Sequence, residues 1–161
     1  TNGCTFVVVG HNTNPTSGNQ WFVEVANSAS LSTRDRYLMA NITGTNGYRT
    51  RKASATASSD AQVGSAASAD LFVVVSRFTG GSGVANQHVN GDSTPETSAS
   101  IGVPTGLSHT TVGAAFFSSA ISAYLNGDLF TVAIYDGNIG ATAAEEIATW
   151  AATNYGTTNA A

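Results

Sequence analysis

The sequence predicts an all-β fold, an antiparallel β-sandwich with one short C-terminal α-helix. Three observations carry this expectation. Short runs rich in Val, Phe, Tyr and Thr recur between clusters of Gly, Asn and Ser, the pattern of many short strands joined by turns. Asn-Gly pairs at 46–47, 90–91 and 126–127 supply residues that tolerate positive φ, which tight hairpins need. Convincing helical spacing occurs only near the C-terminus, over Thr142–Tyr155.

The expected strands are Thr5–Val9, Gln20–Asn27, Tyr37–Thr43, Gly47–Ala53, Leu71–Phe78, Ala85–Val89, Thr111–Ala115 and Leu129–Asp136. In the second, alternation puts Trp21, Val23 and Val25 on one face and Phe22 and Glu24 on the other, and Trp21 is expected in the core. In the last, Phe130, Val132 and Ile134 share one face while Leu129, Thr131, Ala133 and Tyr135 share the other, so both faces can be buried. Asn90-Gly91 is the clearest hairpin, because a strand pattern runs directly into it. Gly80-Gly81-Ser82-Gly83 joins two strands; no helix follows it and no lysine closes it, so it does not read as an anion cradle.

After the loop Gly137–Ala141, Thr142 stands three residues before Glu145, the spacing of a capping box. Ile147, Trp150 and Ala151 follow at helical spacing with Tyr155 a turn further on, so this face, Trp150 included, is expected to pack on a sheet. Gly156 supplies a left-handed residue to end the helix.

This order resembles the end of a concanavalin A-like, laminin-G-type jelly roll. The residues that carry the resemblance are the strand and Asn-Gly hairpin Gln87-His88-Val89-Asn90-Gly91, the strand Thr111-Val112-Gly113, the segment Gly127–Asp136, the Thr-x-x-Glu helix start and the terminal Tyr155-Gly156. It covers roughly the whole chain and is specific from about residue 71 onward. The resemblance implies a jelly-roll fold, usually with another strand before Thr5–Val9. Such domains occur as sugar-binding appendages of secreted enzymes and adhesins, and in phage tail and head proteins.

A chain of 161 residues is one domain's worth, enough to bury a core without disulfides. It begins at Thr1 without a methionine and enters a strand almost at once, so a module or trimmed chain is expected. Only 10% of residues are charged, and Thr, Ser, Asn, Ala and Gly take their place. That neutral polar exterior suits an extracellular or virion surface. A net charge of −4 cannot neutralise a row of phosphates, which excludes a nucleic-acid partner. No apolar run approaches the ~20 residues of a membrane helix, so membrane insertion by a helix is not expected. The lone Cys4 has no internal partner and reads as a small strand residue.

Catalytic patterns are sought without success. Retaining glycosidases of this fold need two carboxylates about 5–5.5 Å apart, as in Glu-x-Asp-x-Glu on one strand, and no such pattern occurs. The adjacent pair Glu145-Glu146 falls to the helix start. His11, His88 and His109 are far apart and read as surface residues, and there is no Gly-x-Ser-x-Gly elbow. The domain is therefore expected to catalyse nothing and to need no cofactor. Calcium is the one ion the turns could hold, through Asp136-Gly137-Asn138 and Asn90-Gly91-Asp92, although local turn hydrogen bonds account for these residues equally well.

The uneven feature is positive charge. Of six basic residues, Arg34, Arg36, Arg49, Arg51 and Lys52 fall within one short stretch. If Tyr37–Thr43 and Gly47–Ala53 pair, Arg49 and Arg51 share one face of their strand and Tyr48 and Lys52 the other. The candidate ligand-binding residues are Arg36, Tyr48, Arg49, Arg51 and Lys52, whose donors suit an acidic glycan or a negative partner surface. The competing reading is an exposed edge kept soluble by arginines. Trp21, Tyr37, Tyr48 and Tyr124 are the candidate sugar-stacking rings, against a role in the core. The sequence thus reads as a non-catalytic, lectin-like module that binds a glycan from a virion or extracellular appendage. The alternative is a structural virion protein whose jelly roll serves assembly, for which a homo-oligomer is expected.

Overall fold

Among the described residues, two five-stranded antiparallel sheets form a sandwich with one helix laid on its outside. The computed structural model describes residues 3–16, 18–27, 35–42, 47–54, 57–62, 71–81, 83–91, 94–98, 104–117 and 120–157. The strands are β1 (Gly3–Asn12), β2 (Gln20–Ala26), β3 (Arg36–Ile42), β4 (Gly47–Ser54), β5 (Ala57–Gln62), β6 (Leu71–Thr79), β7 (Ala85–Val89), β8 (Glu96–Thr97), β9 (His109–Val112), β10 (Ala115–Phe117), β11 (Ala120–Ser122) and β12 (Gly127–Asp136), followed by α1 (Gly140–Tyr155). The first sheet runs β12-β1-β6-β7-β8, the second β5-β4-β3-β2-β9, and β10-β11 is a separate hairpin. Among the described residues no helix is long and apolar enough to cross a membrane.

All eight expected strands are present. The segment expected at Thr111–Ala115 is split, because Gly113 takes φ +73° between β9 and β10. Asn90 and Gly91 both take positive φ, as their turn requires, and Asn90 Oδ1 also accepts the Val73 amide. Gly127 serves otherwise: a Cβ there would strike the His11 backbone, so its glycine permits the approach of β12 to β1.

Between the sheets, alternate residues of six strands form one aromatic-rich core. Phe22 stacks on Phe72 at 5.1 Å, Tyr48 meets Phe72 at 4.9 Å, and Tyr37 and Phe6 contact Phe78 at 4.7 and 5.2 Å. On the other face of the first sheet, Val7, Val9, Val73 and Val75 receive Ala144, Ala148 and Ala151 of α1. Alanines at this spacing let the helix axis lie close to a valine surface.

That stripe corrects the helix reading. Trp150, expected to be buried, is 45% exposed, because the sheet takes the 144/148/151 face and Trp150 falls one position off it. Ile147 and Tyr155 pack at the margin. The capping box does not form: α1 starts at Gly140, two residues before Thr142, and Asn138 Oδ1 accepts the Gly140 amide instead. Gly156 closes the helix at φ +73°, its amide bonded to the Ala152 carbonyl.

Two β-bulges correct the face assignments, each with a phenylalanine as the extra residue. The register of β2 against β3 passes from Trp21–Ala40 to Val23–Met39, so Phe22 and Val23 both enter the core and Trp21 turns to the outer face. The register of β12 against β1 passes from Thr131–Val9 to Leu129–Gly10. Phe130 thereby joins Thr131 on the helix side, where both meet Tyr155, while Leu129 joins Val132 on the core side.

Candidate ligand-binding groove

The outer face of the second sheet, away from α1, carries the concentrated positive charge. Antiparallel pairing sets Leu38 opposite Arg51 and Ala40 opposite Arg49, and the period of two sends Arg36, Leu38 and Ile42 of β3 to the same side as Arg49 and Arg51 of β4. With Asn19 and the bulged Trp21 they line a groove of about 400 Å³. Trp21 is buried against Leu38, Ala40 and Ala115, so the start of β10 packs beside the groove's Trp21. Arg49 and Arg51 stay partly exposed at the groove.

Arg36 differs from these two. Its Nη1 lies 3.5 Å from Glu24 Oε1, and both side chains are almost completely buried. Removing either partner would leave an uncompensated buried charge, so each holds the other in place.

The remaining expected site residues face inward. Tyr48 is buried in the aromatic core between Phe22 and Phe72. Lys52 is fully buried, and its ammonium donates to the carbonyls of Thr79 at 3.1 Å, Gly81 at 2.9 Å and Gly83 at 3.2 Å. Desolvation pushes it below its ordinary value of 10.5. Both are therefore withdrawn from the groove: Tyr48 is a core ring, and Lys52 ties β4 to the glycine-rich β6-β7 turn, which cradles a cation. Tyr37 is likewise in the core, whereas Tyr124 is 63% exposed with its hydroxyl donating to the Ile121 carbonyl. Arg34 lies outside the described residues.

Glu24, which holds Arg36 behind the groove, was not assigned to the site by the sequence, and Trp21, expected in the core with sugar stacking as the alternative, lines the groove instead. The alternation Trp-x-x-Glu across a bulge conceals that they share a face; Glu24 opposite Leu38 in the ladder is the signal that only pairing supplies.

Among the described residues no three His, Cys, Asp or Glu side chains are placed to hold a metal ion. Asn138 Oδ1 accepts from Gly140 N–H and from Arg77 Nη1, while Asn90 Oδ1 is held by Val73; Asp92 lies outside the described residues. His88, expected at the surface, is buried and accepts the Arg77 Nε–H at its Nε2, which fixes its tautomer under α1. His109 is exposed beside Ser108. Burial, reinforced by Asp136, pushes the Cys4 thiol well above its ordinary value, so it is protonated and weakly nucleophilic at neutral pH.

No protein-family model matches the chain, and no curated protein sequence matches it. Solved structures do. The CBM40 module of a Ruminococcus gnavus IT-sialidase, bound to α2,3-sialyllactose, superposes with a TM-score of 0.74 at 12% identity, over 91% of this chain and 83% of that one. A leech intramolecular trans-sialidase gives 0.72 at 12% identity over 90% of this chain, which spans 23% of the leech enzyme. A Limulus polyphemus SAP-like pentraxin gives 0.61 at 9% identity, over 91% of this chain and 70% of that one. At such identities the likeness defines the class of fold, a concanavalin-like jelly-roll β-sandwich.

Proposed function

We propose that this domain is a non-catalytic carbohydrate-binding module, that its ligand is a sugar bearing a carboxylate, and that the groove on the second sheet is the site. The observation that carries the reading is the convergence of Arg49 and Arg51 from β4 with Arg36 from β3 on one groove beside Trp21. Residues two apart on a strand are separated by about 7 Å, so Arg49 and Arg51 can grip a carboxylate and a neighbouring hydroxyl together. Leu38 and Trp21 form the apolar floor of the groove, and the partly exposed Ile42 supplies apolar surface for the carbon face of a ring. Glu24 holds Arg36 in place behind the groove.

Support also comes from the fold: R. gnavus CBM40 structures with α2,3- and α2,6-sialyllactose both superpose on this chain, so a sialoside is the first ligand to try. Presentation on an extracellular or virion surface belongs to the same proposal and rests on the low-charge exterior. An NMR titration with 3′-sialyllactose tests it. Saturable shifts at Trp21, Arg49 and Arg51, absent with lactose, support the reading; equal responses to both sugars, or shifts elsewhere, overturn it.

A further inference from the structure

Beneath the start of α1 the first sheet buries two polar side chains that the groove does not use. The period of two sends Val73, Val75 and Arg77 of β6 and His88 of β7 to the helix side, where Arg77 and His88 are 8% and 1% exposed. Arg77 Nε donates to His88 Nε2 at 3.1 Å, and its Nη1 donates to Asn138 Oδ1 at 3.2 Å. The same Asn138 oxygen accepts the N–H of Gly140, the first residue of α1, at 3.0 Å. A chain of hydrogen bonds thus runs from β7 through β6 to the helix start. Thr5 of β1 ties the same corner, its Oγ1 donating to the Gly137 carbonyl and accepting the Ile139 N–H.

This chain works with one protonation state of His88 only. Nε2 must present a lone pair to a guanidinium that keeps its charge at every pH at which the domain is folded. A proton on Nε2 would remove that acceptor and set two cations about 3 Å apart where little water reaches them. Among the described residues, Glu145 of α1 is the acidic group that acts on Arg77, and its charge favours both cations. Glu146 of α1, Glu96 of β8 and Asp128 and Asp136 of β12 are exposed, and His11 lies at the other end of β1 from Thr5. Contact decides the balance. Arg77 bonds the ring directly, whereas Glu145 acts through charge alone, and burial outweighs it in setting the proton affinity of Arg77.

The guanidinium can leave a protonated ring only by moving, and its other arm holds Asn138. We propose that His88, Arg77 and Asn138 form an acid-opened latch: a proton on His88 displaces Arg77, breaks its bond to Asn138 and lets the segment from Gly137 through the first turns of α1 open, while the sandwich beneath stays folded. The opening is local because the valine and alanine contacts of α1 form a cluster separate from the aromatic core between the sheets. Above histidine's ordinary value of about 6.5 the latch is closed. As pH falls below it, the open state, whose ring is free to take a proton, gains by up to about tenfold per pH unit.

The test is NMR on the isotope-labelled domain from pH 7.5 to 4.5, reading the His88 ring resonances beside amide exchange corrected for its intrinsic pH dependence. The ring should titrate at least one pH unit below 6.5, and opening at 138–145 should rise at least tenfold between pH 7 and 5 while the amides of Phe6–Val9 keep their protection. His88→Gln retains an acceptor for Arg77 and takes no proton in this range, so it should abolish the rise and leave melting at pH 7 within a few degrees. Glu145→Gln removes the charge that favours protonation and should move the His88 titration lower still. Should His88→Gln fail to fold, the wild-type titration decides alone. A ring that titrates at 6.5 or above, opening at 138–145 that does not follow its titration, an equal rise in His88→Gln, or loss of protection across the whole domain at once would overturn the proposal.

Discussion

Arg51 and Lys52 are adjacent in sequence and sit on opposite faces of β4: Arg51 lines the outer groove, while Lys52 is fully buried and bonded to three carbonyls of the β6-β7 turn. The three N–H donors of one ammonium are matched by three acceptors.

Their substitutions should therefore separate binding from stability. Lys52→Ala strands three carbonyls and empties the space of a long side chain, and should lower stability by about 3 kcal/mol in urea denaturation while the folded fraction binds ligand normally. Arg51→Ala removes a partly exposed side chain, and should change stability by about 1 kcal/mol or less while weakening ligand binding.

The buried Lys52 also imposes a pH dependence. Its folded-state value lies below the ordinary 10.5, so over the interval between the two the unfolded chain binds more protons than the folded one. Stability from this group thus rises with pH through that interval, reaching its full value above 10.5. Urea midpoints from pH 8 to 10.5 should show wild type gaining on Lys52→Met as pH increases. A constant difference would contradict the assignment.

The helix makes a sharper test of packing. Trp150→Ala should cost about 1 kcal/mol or less, because nearly half of the indole is already in water. Ala148→Leu should cost about 1–3 kcal/mol by driving a larger side chain against Val73 and Val75. The reverse ranking, read from thermal unfolding, would mean that the helix lies on its other face.

What the sequence made legible follows from local periodicity. The strands containing Phe6, Tyr37, Phe72 and Val89 announce themselves by apolar runs between turns, and Gly156 by its place after a helical pattern. Alternation on β4 separated Arg49 and Arg51 from Tyr48 and Lys52, which is the division the structure makes. What stayed hidden depends on pairing. A bulge at Phe22 or Phe130 leaves no mark on a single strand, yet each inverts the faces beyond it. The Glu24–Arg36 pair joins β2 to β3, and β5, an edge without apolar alternation, lacks the pattern by which strands are found. The Trp150 error has the same origin: helical spacing allowed two adjacent stripes, and the valine surface of β1 and β6 selected the alanine one.

Calorimetric titration of 3′-sialyllactose into wild type and into the Arg49→Ala, Arg51→Ala double variant tests the central claim most directly, with melting temperatures measured alongside. The account predicts a dissociation constant of about 1 mM or tighter for wild type, at least tenfold weaker binding by the double variant with melting within a few degrees, and a matching loss for wild type as salt is raised to about 0.5 M, where exposed charges are screened beyond roughly 4 Å. Undiminished binding by the double variant at low salt would contradict it.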